Sequence, residues 1–137
     1  MDIKISTDEL DVSDCIRWIS QGDSGCVNIF VGRVRPKAHG LNVKCLEFEV
    51  YSKMATTQLK EIAKSAKDRW KIDKVLIHHR DGRVEAGGIP VIIAVSAKHR
   101  REAIEASHYC IDTLKATAPI WKKEVYDNGE AWVFAHP

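Results

Sequence analysis

The most restrictive feature of the sequence is an almost uninterrupted apolar run from Ile89 to Val95. A strand of this composition has no polar face, so it must lie in the centre of a sheet that is covered on both sides. Ser96 follows, and the next apolar residues recur at helical spacing, which predicts a long helix capped by Ser96 and running to about Lys115. Pro119 disfavours helical backbone in the residue before it and therefore limits this helix.

The rest of the chain divides into further helices and strands. Alternation over Lys44–Tyr51 predicts a half-buried strand, and Asn128-Gly129 between extended runs is typical of a hairpin turn. Residues Ile16, Met54 and Ile104 are predicted to face inward. The predicted helices are Asp11–Ser20, Ser52 to about Trp70 and Ser96 to about Lys115, and the predicted strands are Cys26–Val34, Lys44–Tyr51, Lys74–His79, Ile89–Val95, Lys122–Tyr126 and Glu130–Phe134, with a short extended piece between Gly82 and Gly87. This order predicts an α+β sandwich in which two long helices pack on one face of a mostly antiparallel sheet.

Composition narrows the classes of function. The 137 residues carry 21 Lys+Arg against 19 Asp+Glu, a formal net charge of +2, and this near-balance argues against a general binder of nucleic acid or membrane surfaces. No two of the four cysteines form a C-x-x-C pair, the N-terminus has no apolar signal-peptide region, and no apolar run approaches the roughly 20 residues of a membrane span. We expect one cytoplasmic domain over residues 1–137, with a small anion as a compatible ligand.

Two lysines flank a stiff chain reversal, Pro119-Ile120-Trp121. Lys115, in the last turn of the predicted helix, could simply complement the helix dipole, and Lys122 could be a solvated strand residue. Alternatively, the reversal holds both amines towards one pocket. A desolvated lysine beside another cation has a lowered pKa and can act as a nucleophile or as an acid or base.

The start of the same predicted helix is basic, with the sequence Lys98-His99-Arg100-Arg101. Helix N-termini bind anions readily, and cations there are electrostatically unfavourable, which favours a phosphate site over a merely solvated first turn. His99 and Lys115 are sixteen residues apart, or roughly 24 Å along a helix. One small-molecule site cannot hold both from one chain, so they serve different sites or meet across a two-fold dimer.

Two further groups are candidates. Arg33 and Arg35 alternate on a predicted strand and share a face, with Gly32 allowing close backbone approach; the alternative is an edge strand protected by charge. His78 and His79 are adjacent on a strand and must point to opposite faces. With no cysteine or carboxylate at ligand spacing, we expect no metal site there and a hydrogen-bonded structural histidine beside the turn.

Several short motifs occur in a specific order and spacing. They are Phe-x-Gly-x-Val-Arg at Phe30–Arg35, Glu-x-Tyr at Glu49–Tyr51 with Met54-Ala55 after it, His-Arg-x-Gly at His79–Gly82, Ser-x-x-His-Arg-x-x-Ala at Ser96–Ala103, Asp-x-Leu-Lys at Asp112–Lys115, Pro-Ile-Trp-Lys-Lys-Glu at Pro119–Glu124 and Gly-x-x-Trp-Val at Gly129–Val133. With these motifs, from about Asn28 to Val133, the chain resembles the large, catalytic subunit of molybdopterin synthase.

The resemblance implies a fold and a reaction. The fold is an α/β hammerhead with a small added β subdomain. The reaction converts a cyclic pyranopterin monophosphate, precursor Z, into molybdopterin by sulfur transfer from the thiocarboxylated C-terminus of a ubiquitin-like small subunit. The large subunits form a homodimer at the centre of a heterotetramer, and the step needs no cofactor and no metal.

The resemblance also implies roles for individual residues. Lys115 and Lys122 would be catalytic and would meet the thiocarboxylate tail. Arg35, with His99 and Arg100 of the second subunit, would bind the phosphate and the pterin. Phe30 would form part of the pocket wall, unless it is simply core, and Arg33 is the less favoured of the two arginines. His136 stands where bacterial relatives often carry a pocket arginine and is kept as a candidate only.

Two other classes of function compete with this reading. One is a non-catalytic interaction module of the same fold that binds a ubiquitin-like partner; the presence of Lys115, Lys122, Arg35, His99 and Arg100 argues against it. The other is a small RNA-binding α+β domain, which the low net charge and the lack of interleaved aromatic and basic residues on one strand disfavour.

Overall fold

The computed structural model describes residues 1–134. Its helices and strands follow the predicted order with two additional strands, at Asp2–Ser6 and Lys37–Ala38. The elements are β1 (Asp2–Ser6), α1 (Val12–Ile19), β2 (Cys26–Val31), β3 (Lys37–Ala38), β4 (Leu41–Val50), α2 (Ser52–Arg69), β5 (Lys74–Arg80), β6 (Gly82–Glu85), β7 (Val91–Ala97), α3 (Arg100–Thr117), β8 (Ile120–Tyr126) and β9 (Ala131–Phe134).

A four-stranded sheet forms the centre of the molecule, in the order β1-β5-β7-β2. Strand β1 pairs with β5 in parallel, and the other pairs are antiparallel. Every residue of β7 is buried. One face of the sheet, with Ile77 and Ile93, packs against α2 and α3, and the other, with Leu76 and Ile92, packs against α1. The predicted α+β architecture, with two long helices on one face, is confirmed.

A second sheet forms the added β subdomain. Strands β3, β4, β8 and β9 follow one another in it, and β6 also pairs with β4. The register of β4 against β8 shifts between Val43 and Cys45, which marks a β-bulge. Beyond the bulge Phe48 lies opposite Lys122. Phe48 and Tyr126 join the core that α2 and α3 share with the first sheet.

The start of α3 differs from the prediction. Ser96 does not cap the helix: it is fully buried inside β7, and its hydroxyl accepts the backbone N–H of Lys74 at 3.2 Å. The helix begins at Arg100, and His99 occupies the N-cap position without a side-chain capping bond. Pairing of β7 with β2 and β5 reaches Ser96, because ladder hydrogen bonds from both neighbours outweigh a local capping preference.

Three apolar side chains predicted to face inward are exposed. Ile16 is 45%, Met54 66% and Ile104 51% exposed. The buried stripes of the long helices are instead rich in small residues, such as Ala63 on α2 and Ala106 on α3. Small residues let the helices approach closely, and larger apolar residues at the margin of the stripe remain outside. Within residues 1–134, no helix is both long and apolar enough to cross a membrane.

Candidate active site

A pocket of about 260 Å³ lies where the two sheets meet the C-terminal end of α3. Cationic side chains dominate its polar lining. The polar lining residues are Arg33, Arg35, His79, Lys115, Lys122 and Glu124, and the apolar lining includes Phe30, Phe48, Val91, Ile111 and Leu114. The pocket therefore collects residues from β2, the segment after β2, β3, β4, β5, β7, α3 and β8.

The chain reversal after α3 places both lysines on this pocket. Lys115 lies in the last turn of the helix, which ends when the N–H of Ala118 donates to the carbonyl of Leu114 at 2.9 Å. Strand β8 begins two residues later, and Lys122 is its third residue. The predicted convergence of Lys115 and Lys122 is found in the structure.

Lys122 is the more desolvated of the two lysines. Its side chain is 22% exposed, and its Nζ lies 5.2 Å from the centre of the Phe134 ring. Burial lowers the pKa of Lys122, and the charges of Lys115 and Arg35 lower it further, while Glu124 opposes the shift. A lysine in such surroundings releases its proton more readily and presents a neutral amine more often than a solvated one.

Glu124 is a site residue to which the sequence analysis assigns no role. It is 7% exposed, and its Oε1 lies 4.0 Å from the Nζ of Lys122. The hydroxyl of Tyr126 donates to its Oε2 at 2.8 Å. Burial, with this bond to Glu124, raises the pKa of Tyr126 to about 12, so the hydroxyl keeps its proton. The sequence feature that could have placed Glu124 in the site is the alternation of side chains along β8, which puts Lys122, Glu124 and Tyr126 on one face.

The two arginines after β2 both reach the pocket, but from a loop. Strand β2 ends at Val31, earlier than the predicted Val34, because the chain turns to bond β7 and the segment before it: the N–H of Gly32 donates to Val91 and that of Val34 to Gly88. A Cβ on Gly32 would lie 2.6 Å from Cγ1 of Val91, which confirms the predicted close approach. Arg33 lines the pocket together with Arg35.

The adjacent histidines of β5 point to opposite faces, as predicted. His78 contacts the Sγ of Cys15 at 3.5 Å and the carboxylate of Asp2 at 3.0 Å on the α1 side. His79 lines the pocket on the other side and is hydrogen-bonded through Nδ1 to the carbonyl oxygen of Arg80 at 2.7 Å.

The remaining predicted site residues lie elsewhere. His99 and Arg100 are exposed at the start of α3 and do not line the pocket. The 18 residues of the helix separate its two ends by about 27 Å. One chain therefore brings together Phe30, Arg35, Lys115 and Lys122 but not His99 and Arg100. His136 lies outside the described residues.

The arrangement suits an anionic ligand held beside a reactive amine. Two arginines and two lysines line the cavity against one carboxylate, Glu124, so the described lining is net positive and can hold a phosphate or carboxylate group. Fold and site together define a small α+β protein with a net-positive pocket built around a desolvated lysine.

Comparisons with known proteins assign this class to a family. The family model described as "MoaE protein" matches residues 5–117, and the chain belongs to that family. It is 40% identical over 131 residues to the molybdopterin synthase catalytic subunit of Taeniopygia guttata, covering 95% of this chain and 84% of that protein. The resemblance stated from the motifs is confirmed.

Solved structures agree with the family and with the fold. The crystal structure of molybdopterin synthase from Staphylococcus aureus is similar with a TM-score of 0.89 and 32% identity, covering 96% of each chain. A complex of subunits 1 and 2 of molybdopterin-converting factor from Helicobacter pylori is similar with a TM-score of 0.81 and 26% identity, covering 98% of this chain and 93% of that one.

Proposed function

We propose that this chain is the catalytic subunit of a molybdopterin synthase. It converts precursor Z, a cyclic pyranopterin monophosphate, into molybdopterin with sulfur from the thiocarboxylated C-terminus of a ubiquitin-like small subunit. The observation that carries the proposal is the convergence of Lys115, Lys122 and Arg35 on one net-positive pocket in which Lys122 is desolvated. Membership of the MoaE family supports the reaction class, and the two-subunit complex from Helicobacter pylori supports a small-subunit partner.

The pocket chemistry matches the demands of sulfur transfer. Each transfer forms a carbon–sulfur bond on the pterin and breaks the acyl–sulfur bond of the tail, and the acyl group then passes to water or to an amine. Lys122 can accept the acyl group when it is neutral or can pass a proton as an acid and base. Lys115 adds positive charge at the same place, and Arg35 holds the phosphate. No cofactor or metal takes part.

The substrate site is completed by a second copy of the chain. His99 and Arg100 lie at the far end of α3 from Lys115, and a two-fold dimer brings the start of one helix to the end of the other. Exposed cations at a helix N-terminus are unfavourable within one subunit but useful if they meet a phosphate held by the other. This dimer would form the centre of a heterotetramer with one small subunit at each end.

Reconstitution from three components tests the proposed function. The chain is mixed with precursor Z and thiocarboxylated small subunit, and molybdopterin is measured as its fluorescent oxidation product; the control is a small subunit with an ordinary C-terminal carboxylate. Product that requires all three components and the thiocarboxylate supports the proposal. Binding of the small subunit without product would indicate an interaction module, and neither binding nor product would overturn the functional assignment.

A further inference from the structure

His79 is a polar residue of the pocket lining that the proposed reaction does not yet use. The residue lies near the end of β5 and is 1% exposed. Its ring stands edge-on to that of Phe48, with centres 5.1 Å apart and planes at 84°, and it lines the same pocket as Lys115 and Lys122. Its orientation is therefore held by packing on one side and by the neighbouring backbone on the other.

The hydrogen bond at Nδ1 determines which ring nitrogen carries the proton. Nδ1 lies 2.7 Å from the carbonyl oxygen of Arg80, and a carbonyl oxygen can only accept, so Nδ1 is the donor. Burial lowers the pKa of His79 to about 4, and the ring is neutral at pH 7. Nε2 is consequently a pure acceptor, and Nδ1 makes the one hydrogen bond that the ring forms with residues 1–134.

An acceptor is unusual in this pocket. Arg33, Arg35, Lys115 and Lys122 are all donors. The carboxylate of Glu124 accepts the Tyr126 hydroxyl at Oε2, and its Oε1 lies 4.0 Å from the Nζ of Lys122. No residue from 1 to 134 donates a hydrogen bond to Nε2 of His79, so a ligand that offers an N–H group beside it forms a hydrogen bond that these residues do not supply.

We propose that Nε2 of His79 accepts a hydrogen bond from an N–H group of the pterin ring and makes His79 a specificity-determining residue of the pocket. This inference rests on the proposed function. The cations hold the phosphate and the desolvated amine serves sulfur transfer, while His79 selects and orients the heterocycle. A site built to bond a substrate N–H discriminates strongly against analogues that lack it.

Two substitutions distinguish the roles of the two ring nitrogens of His79. In His79→Asn the amide can still donate to the Arg80 carbonyl, but no atom remains at the position of Nε2. In His79→Gln an amide oxygen reaches that position, and the bond to Arg80 is lost. We expect the Kd of precursor Z, measured with the full chain in complex with its small subunit, to rise roughly three- to tenfold for Asn and to stay near wild type for Gln.

Two controls keep the comparison specific. Affinity for inorganic phosphate and for the small subunit should be unchanged in both variants, and thermal unfolding verifies that they are folded. Since His79 is buried and either variant could fail to fold, the wild-type chain offers a second test: ¹⁵N resonances of its imidazoles should show a protonated Nδ1 at His79, and the Nε2 resonance should shift on addition of precursor Z but not of inorganic phosphate.

The outcomes distinguish this inference from the proposed function. Wild-type chain that fails to bind precursor Z overturns the proposed function and the role of His79 with it. Wild-type binding together with an unmoved Nε2 resonance, or with an unchanged Kd in folded His79→Asn, overturns the role of His79 and leaves the proposed function intact. The role of His79 is supported if His79→Asn binds precursor Z more weakly, His79→Gln keeps the wild-type affinity, and precursor Z shifts the Nε2 resonance.

Discussion

The two ends of α3 carry the same kind of charge in opposite surroundings. At the C-terminal end Lys115 complements the helix dipole and faces a pocket in which Lys122 is desolvated and Glu124 is buried. At the N-terminal end His99 and Arg100 are exposed, and the dipole opposes them. One end gathers its lysines on a pocket formed within the chain, whereas the cations at the other end are exposed and do not line that pocket.

The difference teaches that charge alone does not define a site. Lys122 and Lys123 are neighbours on β8, but they lie on opposite faces of the strand. Lys122 is 22% exposed and faces the pocket, whereas Lys123 is 47% exposed and pairs with Glu47 at 3.8 Å. Desolvation and the company of other cations change the chemistry of the first lysine and leave the second an ordinary surface residue.

The largest expected effect comes from removing a pocket lysine near the C-terminal end of α3. Lys122→Ala should lower the rate of molybdopterin formation by about 10²- to 10⁴-fold, the usual range for losing a positioned acid–base or nucleophilic group, and Lys115→Ala should likewise abolish product while leaving the fold intact. Lys123→Ala is the matched control and should stay near wild type. The reconstituted assay measures all three, and equal rates for Lys122→Ala and Lys123→Ala would remove Lys122 from the site.

The second-largest expected effect tests whether the N-terminal end of α3 in one subunit and the C-terminal end of α3 in the other form one site. His99→Ala and Lys115→Ala should each be inactive alone and regain activity when their subunits are exchanged. Random exchange makes half of the dimers mixed, and each mixed dimer has one intact pocket of two, so roughly a quarter of wild-type activity should return. Mass spectrometry of differently tagged subunits confirms the exchange. Confirmed exchange without recovery would contradict a shared site.

A smaller effect tests the carboxylate beside Lys122. Glu124 raises the pKa of Lys122 against the lowering by burial, so Glu124→Gln should lower that pKa further. Modification of Lys122 by an amine-reactive reagent, followed by mass spectrometry, should then reach half its maximal rate at a lower pH than in wild type. Glu47→Gln is the control beside Lys123 and should leave the Lys122 profile in place; a profile that moves to higher pH in Glu124→Gln would reverse the assigned sign.

The smallest expected effect is on the free energy of unfolding, and it compares substitutions at the two ends of α3. Arg100→Ala removes a cation from the unfavourable end of α3 and should raise the free energy of unfolding by about 0.3–1 kcal/mol, while Lys115→Ala should lower it by a similar amount. Alanine and these two residues have similar helix propensities, so the dipole dominates the difference. Urea unfolding at low salt measures both. Loss of stability in Arg100→Ala would mean that Arg100 makes a contact within its own subunit.

Local pattern was sufficient for much of the fold. The apolar run at residues 89–95 predicted a strand buried on both faces, and β7 is one. Helical spacing located α2 and α3, and Pro119 with its neighbours located the reversal that turns Lys115 and Lys122 towards one pocket. These features depend on residues a few positions apart, whose spacing is visible in the chain itself.

Other features depended on contacts between distant parts of the chain. Strand β1 forms because it pairs with β5 more than 70 residues later, and Ser96 lies in a strand because two neighbours extend the ladder to it. The depth of burial around Lys122 and the presence of Glu124 and His79 on one pocket follow from the way β5 and β8 both contribute to its lining. Period and propensity predict which face a side chain takes, but desolvation and hydrogen-bond partners come from packing between elements, and these decide the chemistry of the pocket.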